Sequence, residues 1–214
     1  NHKTVVYDSS KKALTKSQEG LDKLLDKLHS KDKYSNEDIN KIKSNLKFTN
    51  KIEDLKNSEL LIEAIIENLE IKKEVFSEIE KIVSKECIIA SNTSSLSITA
   101  LASSLNLNNR FIGLHFFNPA NLMPLVEVIP AIQTSEKTIK KSQDLLREMG
   151  KVVVTAKDTP GFIVNRVARP FYGEAIRIYE EGIANYATID WALKEFGGFK
   201  MGPFELMDFI GNDI

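Results

Sequence analysis

Cysteine is nearly absent: Cys87 is the single one in 214 residues. No intrachain disulfide can form, which fits a reducing compartment. Its setting, ECIIAS, is that of a small buried side chain. No apolar run approaches the ~20 residues of a membrane-spanning helix, and no basic-then-apolar leader opens the chain. Neither sign of charge prevails, since 29 Lys and Arg stand against 30 Asp and Glu. That balance removes the electrostatic ground for expecting nucleic acid or an anionic membrane as partner, while leaving room for a local basic groove around a small anion. Repeats and low-complexity segments are missing too, and no metal site is expected. The chain starts at Asn1 and enters the apolar run TVVYD almost at once, so it is expected to begin in mid-fold.

What is present is an alternation of short β-branched runs with longer amphipathic ones. TVVYD (4–8) reads as a parallel strand ending in an acid. Leu14, Leu21, Leu24, Leu25 and Leu28 then recur at helical spacing within 11–31. A second helical piece covers 36–46. LKFTN (46–50) and the polar stretch after it carry no assignment. Further strands are expected at 60–65, 87–92, 110–116, 125–130 and 151–156. Helices are expected at 69–85, 97–105 and 135–150, with Gly150 closing the last from the position just past its end. This alternation predicts a parallel sheet wrapped by helices. After KDTPG (157–161) the strands cease, and 162–182, 189–196 and 202–211 read as helices. The expected organisation is therefore a sheet domain over 1–157, then the start of an all-helical domain over 158–214.

Four places in this pattern carry polar groups that ask for a reason. Asp8 ends a strand, where it either caps the next helix or meets the ribose of a dinucleotide. SNTSSLSI (91–98) follows a strand and precedes a helix; Ser94 or Ser95 is there either a helix cap or a ligand contact at the carboxyl edge of the sheet. His115 in GLHFF and Glu127 in LVEVI interrupt two apolar strands. They form either a proton-accepting pair, with the carboxylate fixing the tautomer of the imidazole, or a core histidine beside an acid on an exposed edge. Asn165 in GFIVNR falls on the first helix after the domain switch, where its amide reaches toward the interdomain cleft or satisfies a polar neighbour.

Taken in order, VVYD, EAIIENLEIKK, ASNTSSLSI, GLHFFNP, LVEVI, DTPGFIVNR and MGPFELMDFIG resemble the L-3-hydroxyacyl-CoA dehydrogenase family. The resemblance runs through most of the chain. It implies a Rossmann-type domain followed by a helical domain, and NAD-dependent oxidation of an (S)-3-hydroxyacyl-CoA to the 3-ketoacyl-CoA. His115 would take the hydroxyl proton, Glu127 would orient His115, Ser94 would bond the substrate oxygen, and Asn165 would hold that oxygen or the histidine. Asp8 would bind the adenosine ribose and favour NAD over NADP. Glu67, Lys72, Asn92 and Asn118 fall where the family lines the rest of the cofactor site, and Lys31 where it meets coenzyme A phosphate. A homodimer through the helical domain is implied, in a bacterial cytoplasm or a mitochondrial matrix.

Two departures accompany the match. The family's first strand and glycine-rich turn are missing, and the helical domain stops at GNDI. A fragment of a normal enzyme is the expected explanation. A dehydrogenase for another 3-hydroxy acid and a non-catalytic remnant of the fold stand as alternatives.

Overall fold

The computed structural model describes residues 2–211. Strand β1 (Thr4–Tyr7) leads through helices α1 (Lys11–His29) and α2 (Asn36–Ser44) to β2 (Leu46–Thr49), and the two strands pair in parallel. Next come β3 (Leu60–Glu63), α3 (Leu69–Ile82), β4 (Ile88–Ser91), α4 (Ile98–Ala102), β5 (Phe111–Phe116), β6 (Leu125–Pro130), α5 (Glu136–Glu148) and β7 (Val152–Thr155). Strands β3 to β7 form one sheet in sequence order. Helices α6 (Val164–Glu180), α7 (Tyr186–Glu195) and α8 (Pro203–Ile210) follow.

The sheet departs from the expected one in two respects. Strands β5 and β6 are antiparallel, while the other pairings are parallel. Only 117–124 lies between them, too short for the crossover of a dozen or more residues that parallel neighbours need. The ladder is also divided, with β1–β2 separate from β3–β7. Strand β2 occupies LKFT, the stretch without an assignment; so short a run, with a lysine and a threonine in it, gives little alternation to read.

Side chains alternate across the sheet as the strand period of two requires. Leu61, Ile89, Phe111 and Ile129 enter one apolar cluster with Phe76 and Ile79 of α3 and Ile98 and Leu101 of α4. Ile88, Ala90, Ile112, Leu114, Val126 and Val128 enter another, with Leu146 of α5. The close approach of α4 depends on Gly113 in β5. A β-carbon there would stand 2.7 and 2.8 Å from side-chain carbons of Ile98, so any larger residue would force the buried Ile98 side chain to shift.

Caps set the helix ends. Ser10 accepts from Ala13 N–H at α1, so the cap is Ser10 and not Asp8. Ser97 accepts from Ala100 N–H at α4, so neither Ser94 nor Ser95 caps that helix. Gly150, with φ of +77°, follows the end of α5 as expected. Helix α8 begins with Pro203, and the buried carboxylate of Asp190 on α7 accepts from the N–H groups of Phe204 and Glu205 at 2.9 and 3.0 Å. The helical segment leaves Val167 (71 %), Phe196 (80 %) and Phe209 (76 %) exposed.

Candidate active site

His115 and Glu127 are register partners across the antiparallel pair β5–β6. Facing residues on adjacent strands lie within side-chain reach, and the Nδ1 of His115 stands 2.7 Å from Oε2 of Glu127. The imidazole is 6 % exposed and the glutamate fully buried. Glu127 is therefore not on an exposed edge. Its other oxygen, Oε1, accepts from the backbone N–H groups of Ile163 and Val164 at 2.9 and 3.0 Å. These lie at the start of α6, where a helix leaves its first N–H groups unpaired and favours a negative charge. The charge of Glu127 is thus compensated on both oxygens. With Nδ1 donating to Glu127, the lone pair of the neutral ring sits on Nε2, the nitrogen left to accept a proton.

The turn into α6 is tightly shaped. Gly161 has φ of +75° and Phe162, a buried non-glycine residue, has φ of +47°. Two left-handed residues in succession swing the next N–H groups onto Glu127. The ring of Phe162 also packs on His115, with centroids 5.7 Å apart, and Phe117 does so at 4.6 Å. Two aromatic walls thus keep water from most of the imidazole.

The segment SNTSSLS leaves β4 at the carboxyl edge of the same sheet. Asn92 accepts from the N–H of Phe116 at 2.8 Å and so ties β4 to the end of β5 beside His115. Ser94 lies in the turn that follows, half-buried; its N–H donates to Oε1 of Glu67 at 3.2 Å, and its carbonyl accepts from Nδ2 of Asn165 at 3.5 Å. Hydroxyls of Thr93 and Ser95 donate to the same Glu67 oxygen. Burial alone would raise the Glu67 carboxyl; those hydroxyls and the Lys72 ammonium outweigh it and hold the group below its ordinary value. On the far side of the turn, Asp158 accepts from Ser97 Oγ and from the N–H groups of Ile98 and Thr99 at 2.8–2.9 Å.

His115, Glu127, Asn92, Ser94, Asn165 and Glu67 are thus brought into one connected set. Lys72 is 1 % exposed, its ammonium 2.5 Å from Glu63 and 3.2 Å from Glu67. In this arrangement it supports Glu67 from below. Asn118 is exposed just beyond β5, with a cis bond to Pro119. Asp8 stands at the end of β1, accepting from the N–H of Ser10 at 2.7 Å. Lys31 lies exposed past the end of α1 and is bonded to none of the set. Sequence reasoning passed over Glu63, Phe162 and Asp158. Glu63 had the signal that exposed Glu127, an acid inside an apolar run, in LLIEAI. The torsions of Phe162 left no such trace.

Asp8, Glu67, Asn92 and Asn118 offer the carboxylates and amides that pair with ribose hydroxyls and a carboxamide, at strand ends where open α/β sheets take dinucleotides. The residues present fit that part of NAD. The first glycine of the chain is Gly20, inside α1, so a glycine-rich turn for the pyrophosphate is not among them.

Residues 1–159 match the family model described as 3-hydroxyacyl-CoA dehydrogenase, NAD binding domain, and residues 161–214 the model of its C-terminal domain. The mitochondrial hydroxyacyl-coenzyme A dehydrogenase of Sus scrofa is 43 % identical, over 99 % of this chain and 69 % of that protein. The 3-hydroxybutyryl-CoA dehydrogenase of Clostridioides difficile is 40 % identical, over 100 % of this chain and 76 % of that protein. The crystal structure of an (S)-3-hydroxybutyryl-CoA dehydrogenase from Ralstonia eutropha superposes with a TM-score of 0.94 at 39 % identity, over 98 % of this chain and 74 % of that one. The chain belongs to the 3-hydroxyacyl-CoA dehydrogenase family, and its cofactor is NAD.

Proposed function

We propose that the protein oxidises an (S)-3-hydroxyacyl-CoA to the 3-ketoacyl-CoA through a His115–Glu127 dyad. The observation that carries this reading is the 2.7 Å contact between a nearly buried imidazole and a fully buried carboxylate. NAD, when bound, supplies the hydride-accepting chemistry. The chain's own part is to move one proton and to hold the groups around it. Nε2 of His115 takes the proton of the substrate hydroxyl, and Glu127 stabilises the imidazolium that results. Because Glu127 is bonded already at Oε1 and Oε2, little reorganisation accompanies the transfer.

Ser94 in the turn after β4 and Asn165 at the start of α6 are joined by the bond from the Asn165 amide to the Ser94 carbonyl. Their roles in this reading are to hold the substrate oxygen. Asp8, Glu67, Asn92 and Asn118 contact the cofactor, with Lys72 acting through Glu67, and Lys31 meets the coenzyme A phosphate. The joint near Asp158 divides a cofactor domain from a helical domain, and the apolar residues exposed on the helical part form a homodimer interface. In this reading the reaction serves fatty-acid β-oxidation or butanoate metabolism, in a bacterial cytoplasm or a mitochondrial matrix; a relative named as mitochondrial and one from Clostridioides difficile support the two locations.

The deciding experiment follows NADH absorbance with acetoacetyl-CoA for the natural protein and for His115→Gln. The variant is expected to lose about two to four powers of ten in kcat with CD spectrum unchanged. A variant within a few-fold of wild type would remove the dyad.

A further inference from the structure

A lysine and a glutamate buried together beneath the Ser94 turn call for an explanation. Lys72 is 1 % and Glu63 4 % exposed. Ion pairs of this kind cost desolvation that an apolar pair of the same volume would avoid, so stability alone does not account for them. The bonds of the pair join the sheet and the Ile65 backbone to Glu67 of the candidate active site. Glu63 Oε1 accepts from the Lys72 ammonium at 2.5 Å and from Ile65 N–H at 2.6 Å, and Oε2 accepts from Ser91 Oγ at 2.7 Å. The ammonium also donates to the Ile65 carbonyl at 3.3 Å and pairs with Glu67 Oε2 at 3.2 Å. Glu67 Oε1 in turn receives Thr93 Oγ1, Ser94 N–H and Ser95 Oγ. The series of contacts starts in the sheet and ends at the backbone of Ser94.

We propose that Glu63 is a positioning residue for the dehydrogenase reaction: through Lys72 it fixes the Glu67 carboxylate, and through Glu67 the turn that carries Ser94. The geometry explains why the relay needs a charge at its root. Glu67 is 38 % exposed at its side chain, and apart from the bonds of the turn itself on Oε1 its hold is the ammonium on Oε2. Lys72 holds it, but an ammonium with Glu67 as its lone charged partner would follow Glu67 into solvent. Glu63, pinned by Ser91 and Ile65, keeps the ammonium in the interior. One rigid element thereby adds its hold to a turn whose other ties to the sheet are the Thr93 N–H on Ser91 Oγ at 3.2 Å and the Asn92 amide oxygen on the Phe116 N–H. The role rests on the proposed function for Ser94, so one measurement is chosen that needs no catalysis.

The first measurement is amide hydrogen exchange of the natural protein and of Glu63→Gln, which keeps the shape and removes the charge. Amides 93–96 are expected to exchange about tenfold faster in the variant, with α5 and α7 unchanged. Exchange at 93–96 equal to wild type, or raised equally everywhere, overturns the proposal whether or not the protein is a dehydrogenase. The second is a double-mutant cycle on kcat/KM for acetoacetyl-CoA. Glu63→Gln is expected to lose about ten- to a hundredfold in the wild-type background, and a smaller factor when Ser94 is already alanine, the remainder being what Glu67 loses at the cofactor. Equal losses in both backgrounds would mean a merely structural residue and overturn the proposal; loss of activity by neither Ser94→Ala nor His115→Gln would instead sink the functional reading. Should Glu63→Gln not fold, Glu63→Gln/Lys72→Met removes both charges together, and the same two readouts apply with the same outcomes.

Discussion

Glu127 divides its carboxylate between His115 and the first turn of α6. Oε2 meets the imidazole Nδ1 at 2.7 Å, and Oε1 takes the N–H groups of Ile163 and Val164. The carboxylate bonded to the imidazole therefore also fastens the helical segment to the sheet. A change at Glu127 acts on the imidazole contact and on the joint together.

Glu127→Gln should reveal both consequences. The amide preserves shape but no charge, so kcat is expected to fall about a hundredfold or more. A lost charge-assisted bond at a helix N-terminus should cost about 1.5–3 kcal/mol. Urea unfolding and steady-state kinetics read the two effects separately; an active variant of unchanged stability would contradict both.

Asp158 gives the protein an acid-sensitive clasp. Burial alone would raise its carboxyl, but the N–H and hydroxyl of Thr99, the N–H of Ile98 and the hydroxyl of Ser97 outweigh burial and hold it below its ordinary 3.8. A folded-state value below the unfolded one means that the unfolded chain binds the proton more readily, so stability is present above about 3.8 and lost as pH falls through the lower folded value. Glu67 and Glu80 are lowered from 4.5 in the same sense, each against burial. The urea midpoint should therefore decline as pH drops below the mid-fours. Asp158→Asn should lower it at neutral pH and flatten the acid limb.

At Gly113 a methyl group would collide with the buried Ile98 side chain at 2.7 Å. Gly113→Ala is expected to destabilise by about 1–3 kcal/mol through the forced shift of Ile98. A thermal scan checks it, and a Tm equal to wild type would show that Ile98 yields freely.

Phe162 sets two effects against each other. Glycine would relieve a left-handed backbone that costs about 1–2 kcal/mol, but it would also delete a buried ring, a loss of about 3–5 kcal/mol. Loss of the ring outweighs relief of the backbone, so Phe162→Gly should be less stable by about 2 kcal/mol. It should also lose activity, because one wall of the imidazole goes with the ring. A stabilised variant would mean that backbone strain outweighs the packing of the ring.

Sedimentation velocity tests the interface. The natural protein is expected to run as a dimer, and Val167→Glu/Phe196→Glu as a monomer, since each buried charge would meet an apolar partner. A monomeric wild type removes the interface reading.

Local signals in the chain were enough to place the succession of strands and helices apart from β2, the end of the sheet near Asp158, and the polar intruders His115, Glu127, Ser94 and Asn165. Each rests on an apolar period, a missing strand pattern, or a polar residue in an apolar run. The antiparallel pair was not read from the sequence, which predicted a parallel sheet; its signal was the length of 117–124, too short for a crossover. Which polar groups share a bond was settled by the folded arrangement alone. Glu127 and the N–H of Ile163 are 36 residues apart, and Glu67 and Ser94 are 27, separations at which no local period carries information. Capping passed from Asp8 to Ser10 and from Ser94 to Ser97 because the turn torsions, not residue type, choose among neighbouring oxygens. Lys72 reads in sequence as one charged residue of an amphipathic helix; what makes it a buried support is the placement of β3 and its Glu63 beneath it.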